Sequence, residues 1–477
     1  MSTTLRTDLA HQVMEECGEN VYLCYQCKKC TAGCPVAPYF DLTPNQVMRA
    51  VQLGMRDLVL NSRTIWLCAA CETCTTRCPQ GIDIARVMDV LEIMAQRESI
   101  RPKVRPVPMF YKAANRGIDW FGRMFELGLM AELYARMFFA GELDLKQLFR
   151  YDVPMAIKML RTGKLKILPS VARPADRQKA PPADENTIAY YPGCSLHATG
   201  IEYDMSMRAV AERLGLNLVE PEGWICCGTS PAHSTDHFRS IVLPARNLAL
   251  IEAMGHSYVT VPCAACFSRF RIAMHELTHD KALQDQVAQV TGYQPDSGMR
   301  IDAVTTTFVD YVGLERVRQQ VTRPLEGLKV ACYYGCLLTR PPEATGEEEY
   351  EYPTNMDRLM ETLGATPVDW NYKTDCCGGS LSLSQLEISL DLSRKILEDA
   401  KLVGADCIVT ACPLCHANLD MRQRQISERF GGDYHIPIFY VTQLMGVAFG
   451  VERKRLGLEK HFSDALGLMR RRGFLSE

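Results

Sequence analysis

The sequence predicts an α + α/β fold, in which a helical N-terminal region precedes a duplicated α/β region. One cysteine pattern occurs twice among helical segments in the first 100 residues. A different cysteine pattern occurs twice after residue 188, where strand-like and helical segments alternate. Such alternation is typical of parallel α/β units. The 477 residues leave room for about three domains of ordinary size.

Changes in composition divide the chain into five segments. We expect a helical domain over residues 1–100, a helical platform over 101–168, a linker over 169–187, and α/β domains over 188–328 and 329–477. The linker is rich in proline, alanine and charge. In the platform, apolar residues recur at helical spacing. We interpret the platform as packing on the first domain and contacting a neighbouring subunit, with a helix on a membrane surface as the alternative.

Composition excludes several classes of protein. The net charge of −3 gives no sign of a nucleic-acid partner. The first residues mix charged and apolar side chains, so we expect no secretory signal. No apolar stretch reaches the roughly 18 residues that a transmembrane helix needs. We therefore expect a cytoplasmic chain, in which 21 cysteines indicate metal rather than disulfides.

Eight cysteines of the first domain form two copies of Cys-x-x-Cys-x-x-Cys-x-x-x-Cys-Pro. This is the signature of two-cluster bacterial ferredoxins, in which the fourth cysteine of each copy binds the other cubane [4Fe-4S] cluster. We assign Cys24, Cys27, Cys30 and Cys78 to cluster 1, and Cys68, Cys71, Cys74 and Cys34 to cluster 2. Zinc is the competing interpretation, but zinc sites use two Cys-x-x-Cys pairs rather than evenly spaced cysteines.

Helices are predicted after each of these motifs. TPNQVMRAVQLG has Thr43 as its N-cap, Pro44 at the first helical position and Gly54 as its stop. IDIARVMDVLEIMAQ follows the second motif. Because helical structure separates the two cysteine loops, the domain resembles the helical ferredoxin domain of succinate dehydrogenase iron–sulfur subunits.

Ten further cysteines form the second pattern, which is one cysteine, then Cys-Cys-Gly, then Cys-x-x-Cys. The first copy contains Cys194, Cys226, Cys227, Cys263 and Cys266, and the second contains Cys336, Cys376, Cys377, Cys412 and Cys415. Predicted strands are IAYYPG, HSYVTVPC, LKVACYY and DCIVTAC, and predicted helices are IEYDMSMRAVAERLGL, NMDRLMETLGA and LEISLDLSRKILEDAKLVGA. The cysteines follow strands, at the carboxyl edge where α/β sheets build their sites.

Five sulfurs in each copy exceed the four that a cubane cluster needs, which suggests a larger or opened iron–sulfur cluster. Gly228 and Gly378 would allow the sharp turn after the paired cysteines. A disulfide or a zinc site with a spare thiol is the alternative. Cys17, Cys332 and Cys407 lie outside both patterns, and we expect them to pack in apolar surroundings.

Other polar residues lie near these cysteines in the sequence. His197, His233, His237 and His416 are either donors of hydrogen bonds to cluster sulfurs or of a proton to a leaving thiolate, or ordinary loop histidines. The acidic run over residues 341–353 is expected to be a solvated loop at the mouth of the second copy, with a docking surface as the alternative.

The duplicated Cys-Cys-Gly unit resembles the heterodisulfide reductase B subunit family. The segments VYLCYQCKKCTAGCPV and IWLCAACETCTTRCPQGIDIARVMD resemble the C subunit, so the chain is similar to a C–B fusion of the D-subunit type. The resemblance implies cysteine-rich (CCG) domains that each hold a noncubane [4Fe-4S] cluster on the catalytic five-cysteine set. It also implies a flavin-containing A-like subunit, or another electron donor, as partner. Several related quinone-linked proteins keep only part of the cysteine set, whereas this sequence keeps all ten.

Two functions follow from this interpretation. The first is an oxidoreductase subunit that carries electrons through two cubane clusters to two noncubane clusters, which reduce or form a small disulfide. The alternative is an electron-transfer-only subunit that links a flavoenzyme to a quinone or another reductase. The sequence lacks a nucleotide-binding GxGxxG or Walker A motif, so we expect no flavin or nucleotide on this chain. Docking to a membrane subunit stays open, and a purely structural metal scaffold is least favoured.

Overall fold

A computed structural model describes residues 8–173, 184, 186–295 and 298–475. It confirms the predicted class, because a helical N-terminal part precedes two small parallel sheets of four strands each. Residues 174–183 and 185, which belong to the predicted linker, lie outside the described residues.

The head, residues 8–100, is helical. Its helices are α1 (Asp8–Cys17), α2 (Lys29–Gly33), α3 (Pro44–Gln52), α4 (Arg56–Leu60), α5 (Thr64–Leu67), α6 (Thr73–Thr76) and α7 (Ile84–Arg97), with 3₁₀ turns at Val21–Leu23 and Ala37–Tyr39. The predicted start of α3 is confirmed, since Thr43 and Gln46 form a reciprocal capping box and Pro44 is the first helical residue. The helix predicted after the second cysteine motif is α7, capped by Asp83.

The platform, residues 101–173, is also helical. It contains α8 (Pro106–Phe121), α9 (Glu126–Ala140), α10 (Leu145–Gln147), a π-helical turn at Leu148–Asp152 and α11 (Val153–Thr162). Gly122, Gly141 and Gly163 end α8, α9 and α11 in the left-handed conformation that glycine adopts readily. Within the described part of the chain, no helix has the length and apolar character needed to cross a membrane.

Unit 1, residues 186–328, contains the first parallel sheet. Its elements are β1 (Thr187–Tyr190), α12 (Gly193–Leu196), α13 (Ile201–Arg213), β2 (Asn217–Val219), α14 (Thr229–His233), α15 (His237–Ala253), β3 (Tyr258–Val261), α16 (Ala264–His279), α17 (Lys281–Thr291), β4 (Arg300–Ala303), α18 (Val304–Thr306), a π-helical turn (Thr307–Tyr311) and α19 (Leu314–Gln319). The strand order is β2-β1-β3-β4. Ala189 of β1 is in register with Val219 of β2 and Val259 of β3.

Unit 2, residues 329–475, repeats this arrangement. Its elements are β5 (Lys329–Tyr333), α20 (Pro342–Thr345), α21 (Asn355–Thr362), β6 (Thr366–Pro367), a 3₁₀ turn (Gly379–Leu381), α22 (Leu386–Leu402), β7 (Cys407–Thr410), α23 (Pro413–Met421), α24 (Gln423–Phe430), β8 (Ile438–Tyr440), α25 (Val441–Ala448), α26 (Arg453–Leu456), a 3₁₀ turn (Leu458–Lys460) and α27 (Ala465–Arg471). The strand order β6-β5-β7-β8 matches that of unit 1. Val330 of β5 is in register with Pro367 of β6 and Cys407 of β7.

Buried side chains connect these parts. The two units share one continuous apolar core, in which the rings of Tyr203 and Tyr440 stack with their centroids 4.2 Å apart. The core of the head continues into unit 2 through Ile388 and Leu392 of α22. The head is therefore packed against unit 2, which positions its cysteine loops beside those of that unit.

Candidate iron–sulfur sites and an adjoining cavity

The two cysteine loops of the head have the same backbone geometry. Gln26 and Lys28 in the first loop have positive φ angles of 63° and 65°, and Ala70 and Glu72 at the equivalent positions of the second have 47° and 57°. Non-glycine residues rarely adopt this conformation, and repeated strain at matching positions is typical of functional sites. The left-handed residues turn each loop tightly between its first three cysteines.

The loops bring together the cysteines assigned to each cluster. One small cavity is lined by Cys24, Cys27, Cys30 and Cys78, which are the set predicted for cluster 1. Around Cys74, the electrostatic neighbours are Cys68, Cys71 and Cys34, which complete the set predicted for cluster 2. Cys17 lies apart, buried in α1, where its thiol donates to the carbonyl of Val13 at 2.9 Å.

The five cysteines of unit 1, here named site 1, converge at the carboxyl edge of the sheet. Cys194 lies on α12 after β1, the Cys226–Cys227 pair precedes α14, and Cys263 and Cys266 begin α16 after β3. The sulfurs of Cys227 and Cys266 are 3.2 Å apart, and the thiols of Cys194 and Cys226 are in contact.

Site 2 is built in the same way from Cys336, Cys376, Cys377, Cys412 and Cys415. The sulfurs of Cys377 and Cys415 are 3.6 Å apart, and the thiols of Cys336 and Cys376 are in contact. Cys412 is the N-cap of α23, as Cys263 is of α16. Cys332 and Cys407, outside the pattern, are fully buried within β5 and β7, as predicted.

Glycine is required at two matched positions of these sites. Gly193 and Gly335 have φ angles of 72° and 70°, and a Cβ atom at either would lie 2.9 Å from the sulfur of Cys266 or 3.0 Å from that of Cys415. A side chain at either position would therefore be strained and would also displace a cysteine sulfur.

A continuous succession of thiol contacts joins the head to both units. Cys71 of the head contacts Cys376 of site 2. Within the body of the protein, Cys412 of site 2 contacts Cys263 of site 1. The order along this path is therefore head, site 2, site 1, which does not follow the order of the chain.

Polar contacts hold the second head loop on unit 2. The guanidinium of Arg340 is fully buried and donates to Thr73 Oγ1 of the head at 3.0 Å, to the Thr374 carbonyl and to Glu351. Arg77 of the head also donates to both carboxylate oxygens of Glu351 at 2.8 Å. The acidic run is therefore more than a solvated loop, because Glu351 binds the head.

A cavity of about 230 Å³ opens between site 1 and the platform. Site 1 provides Cys194, Cys226, Cys227, Cys263 and Cys266 to its wall. Much of the remaining wall is apolar and rich in methionine, with Met124, Met130, Met155, Met159 and Met421 among its residues. A mostly apolar concave pocket with a few polar groups is the usual form of a small-molecule site.

The polar groups of this cavity come from residues that sequence reasoning missed. Glu126 begins α9, and burial raises the pKa of its carboxyl to about 7 against the hydrogen bond from Thr199. Arg422 is buried, and burial lowers the pKa of its guanidinium. Tyr134 donates to Asp152 at 3.1 Å. No motif marked these residues, since the platform carries only a helical apolar pattern.

Site 2 faces a smaller cavity of about 50 Å³, lined also by Ala69 and Ala70 of the head. The two cavities share wall residues from both units, namely Thr229, Ser230, Ala265, Gly379, Ser380 and Leu414. Sites 1 and 2 therefore face adjoining cavities that share part of their walls.

The four histidines near the cysteines have other partners. His233 pairs with Asp89 of the head at 2.7 Å, and His237 pairs with Glu276 at 2.9 Å. His197 lies 3.3 Å from Glu220. His416 is stacked on the ring of Tyr440. Among the described residues, these geometries favour the interpretation as structural histidines over that as hydrogen-bond donors to cysteine sulfur.

Comparison with protein families agrees with this geometry. Residues 188–271 and 330–420 match the family described as a cysteine-rich domain (CCG), and residues 23–83 match a 4Fe-4S dicluster domain.

Similarity to individual proteins extends over much of the chain. It is 33% identical over 285 residues to the 8-methylmenaquinol:fumarate reductase membrane anchor subunit of Wolinella succinogenes, covering 60% of this chain and 99% of that protein. It is 31% identical to the B subunit of the ferredoxin/F(420)H(2)-dependent CoB-CoM heterodisulfide reductase of Methanosarcina acetivorans, covering 57% of this chain and 93% of that protein. Identity to the D subunit of the dihydromethanophenazine:CoB–CoM heterodisulfide reductase of the same organism is 23%, covering 50% of this chain and 54% of that protein. The chain therefore belongs to the family of iron–sulfur electron-transfer subunits of the heterodisulfide reductase B and D type.

Proposed function

We propose that this chain carries electrons through two cubane [4Fe-4S] clusters in the head to two noncubane [4Fe-4S] clusters at sites 1 and 2, where a disulfide is reduced or formed. The observation that carries this proposal is the succession of thiol contacts from Cys71 to Cys376 and from Cys412 to Cys263. Redox groups bound at these cysteines would be close neighbours.

The side chains present fit iron–sulfur clusters. Each proposed site offers four or five convergent thiols, and thiolate is the ligand that such clusters use. The proposed cubane ligands are Cys24, Cys27, Cys30 and Cys78 for one cluster and Cys68, Cys71, Cys74 and Cys34 for the other. The five-cysteine sets of sites 1 and 2 are the proposed noncubane ligands. When bound, the clusters supply electrons one at a time.

The arrangement of the two units suits a two-electron reaction. Cleavage of a disulfide takes up two electrons, and the thiol contact between Cys263 and Cys412 places the two sites side by side. The common wall of the two cavities would let one small substrate approach both sites. We also propose the five-segment division of the chain, since the head, the platform and the two units each have a separate part in this arrangement.

An electron donor would dock beside cluster 1. Cys27 is exposed, and the neighbouring Tyr22, Leu23 and Tyr25 are large apolar residues that are about half exposed or more. Exposed apolar side chains in one place are typical of a partner-binding surface. We propose that a flavin-containing subunit, or another electron-donor subunit, covers this surface.

Anaerobic purification followed by metal analysis tests this function. We expect about sixteen irons per chain, four for each cluster. Addition of a thiol to the oxidised protein should produce a new electron paramagnetic resonance signal, and reduced viologen should drive disulfide cleavage. A colourless protein, or zinc at these positions, would contradict the proposal.

A second candidate function is favoured by the cavity at site 1. Its Met-rich wall suits an apolar ring, and one relative carries the name of a methylmenaquinol-dependent reductase. In this alternative the chain passes electrons between a partner and a quinone and has no disulfide chemistry. Viologen-driven reduction of a soluble quinone analogue, with an unchanged resonance spectrum in the presence of thiol, would select this alternative.

A further inference from the structure

Glu126 stands between two cavities. It lines the large cavity beside site 1 and also a smaller one of about 20 Å³. The smaller cavity is lined by Lys166, Ser170 and His197, of which Lys166 is exposed to solvent. The carboxyl therefore lies on a path between the solvent side of the platform and the proposed substrate cavity.

The hydrogen bonds of Glu126 leave one oxygen available. Its Oε1 accepts from Thr199 Oγ1 at 2.8 Å, which fixes the orientation of the carboxyl. Its Oε2 is buried and has no hydrogen-bond partner. A buried carboxylate oxygen without a partner is costly, unless the group is protonated or a ligand hydrogen-bonds to it.

We propose that Glu126 is the proton donor for the substrate that is reduced in the large cavity. This inference rests on the proposed function, in either of its two forms. Cleavage of a disulfide breaks one S–S bond, consumes two electrons from the iron–sulfur donors and two protons, and forms two S–H bonds. Reduction of a quinone consumes the same electrons and protons and forms two O–H bonds.

The chemistry of Glu126 suits this role. Each proton leaves the carboxylic O–H for the substrate atom, and the carboxylate regains a proton from solvent through the smaller cavity. Burial raises the pKa of Glu126 to about 7, and the bond from Thr199 with the charges of Lys164 and Lys166 limits the rise. The other titratable groups lining the two cavities are Arg123, Tyr134, Asp152, Lys166, His197, Arg422 and the five cysteines of site 1. A donor with a pKa near the working pH is the most effective general acid.

Glu126→Gln tests the proposal, because glutamine keeps the shape of the side chain and removes the acidic proton. Glu132→Gln on the same helix is the matched control, since Glu132 pairs with Arg116 and Arg136. We expect Glu126→Gln to slow viologen-driven substrate reduction by about 100-fold and to abolish the decline of the rate above pH 7. Glu126→Asp should restore part of the rate, and Glu132→Gln should behave as wild type.

Iron content and reduction of the clusters by dithionite should be equal in all three variants. A slower Glu126→Gln enzyme that keeps the wild-type pH profile would overturn the proposal, since the residue would then act only on structure.

Infrared spectroscopy gives a readout that is independent of turnover. We expect a carboxylic C=O band that is present at pH 6 and disappears by pH 8. Wild type and Glu132→Gln should both show this band, and Glu126→Gln should lack it. If wild type reduces neither disulfide nor quinone, the proposed function fails. The infrared titration still decides about Glu126, because the absence of this band would overturn its assignment as a proton-exchanging carboxyl.

Discussion

Units 1 and 2 have the same sheet order and the same cysteine pattern, but their sites face different surroundings. Site 2 contacts the head through Cys376 and faces a cavity of about 50 Å³. Site 1 faces the platform and a cavity of about 230 Å³. The head reaches unit 1 through α7, where Asp89 pairs with His233.

The two units have different residues at two matched positions beside their cysteines. Four residues after the first cysteine of each set, unit 2 has Arg340 and unit 1 has Ala198. Immediately after the last cysteine, unit 2 has His416 and unit 1 has Phe267. Arg340 bonds the head and Glu351, and the ring of His416 stacks on Tyr440, whereas Phe267 is buried in the apolar core of unit 1.

The different surroundings of sites 1 and 2 suggest that the two sites have different functions. Because site 2 is beside the head, we propose that it receives electrons first. Because site 1 opens on the large cavity, we propose that the substrate reaches site 1 first. A duplicated domain can keep its metal-binding frame while the residues around it assign each copy a different step.

We expect the largest effect on turnover from removing a cysteine of site 2. Cys376→Ser should remove about four irons and lower viologen-driven turnover by at least about 100-fold, because site 2 lies between the head and site 1. Cys226→Ser, the matched change in site 1, should also abolish turnover but leave electron transfer from the head to site 2 intact. Rapid-freeze electron paramagnetic resonance, which follows the reduction of each cluster over time, distinguishes Cys376→Ser from Cys226→Ser.

Cys332→Ser is the control for this pair, since Cys332 is buried in a strand outside both sites. It should keep the wild-type iron content. If Cys376→Ser left electron transfer to site 1 unchanged, the proposed order of the sites would be wrong.

Arg340 tests whether the head is fixed to unit 2 by buried polar contacts. Arg340→Met removes a fully buried guanidinium that bonds Thr73 of the head, and it leaves Thr374 with fewer partners. We expect a loss of about 3 kcal/mol in the free energy of unfolding, with faster hydrogen exchange in the second head loop. Arg318→Met, which breaks an exposed pair with Glu315 in unit 1, should cost under about 1 kcal/mol.

The histidines of unit 2 make its stability depend on pH. Burial lowers the pKa of His461 to about 4, against the attraction of Asp420. Between pH 6.5 and pH 4, His461 is protonated in the unfolded chain but neutral in the folded protein. The free energy of unfolding therefore falls as the pH falls from 6.5 to 4. His461→Gln should remove at most about 3 kcal/mol of the change in the free energy of unfolding between pH 6.5 and pH 4, measured from the unfolding midpoint against pH.

Much of this architecture could be predicted from local sequence. The strands β1, β3, β5 and β7 are apolar runs that end just before a cysteine, and the structure confirms them. The edge strands β2 and β6 have three and two residues, too few for a recognisable alternation. The other edge strands, β4 and β8, were not predicted either, although β4 is as long as β1. Local patterns of this kind report burial, so they indicate the central strands.

Contacts between distant segments could not be predicted in this way. The head meets unit 2 through pairs such as Tyr39 and Asp391, which are 352 residues apart. Glu126 carries no motif, and only the packing of α9 brings it to the cavity beside site 1. Such features depend on how whole domains pack, which no single segment encodes.

The smallest expected effect concerns that same boundary between the head and unit 2. The Tyr39 hydroxyl donates to Asp391 at 2.8 Å, and Asp391 is also held by Arg394 and Lys395. Tyr39→Phe removes one bond and leaves the carboxylate paired, so we expect a loss of about 0.5–1 kcal/mol. A double-mutant cycle with Asp391→Asn measures the coupling directly. If this coupling energy were as large as the loss of stability in Arg340→Met, then the Tyr39–Asp391 contact, and not the buried guanidinium of Arg340, would hold the head beside site 2.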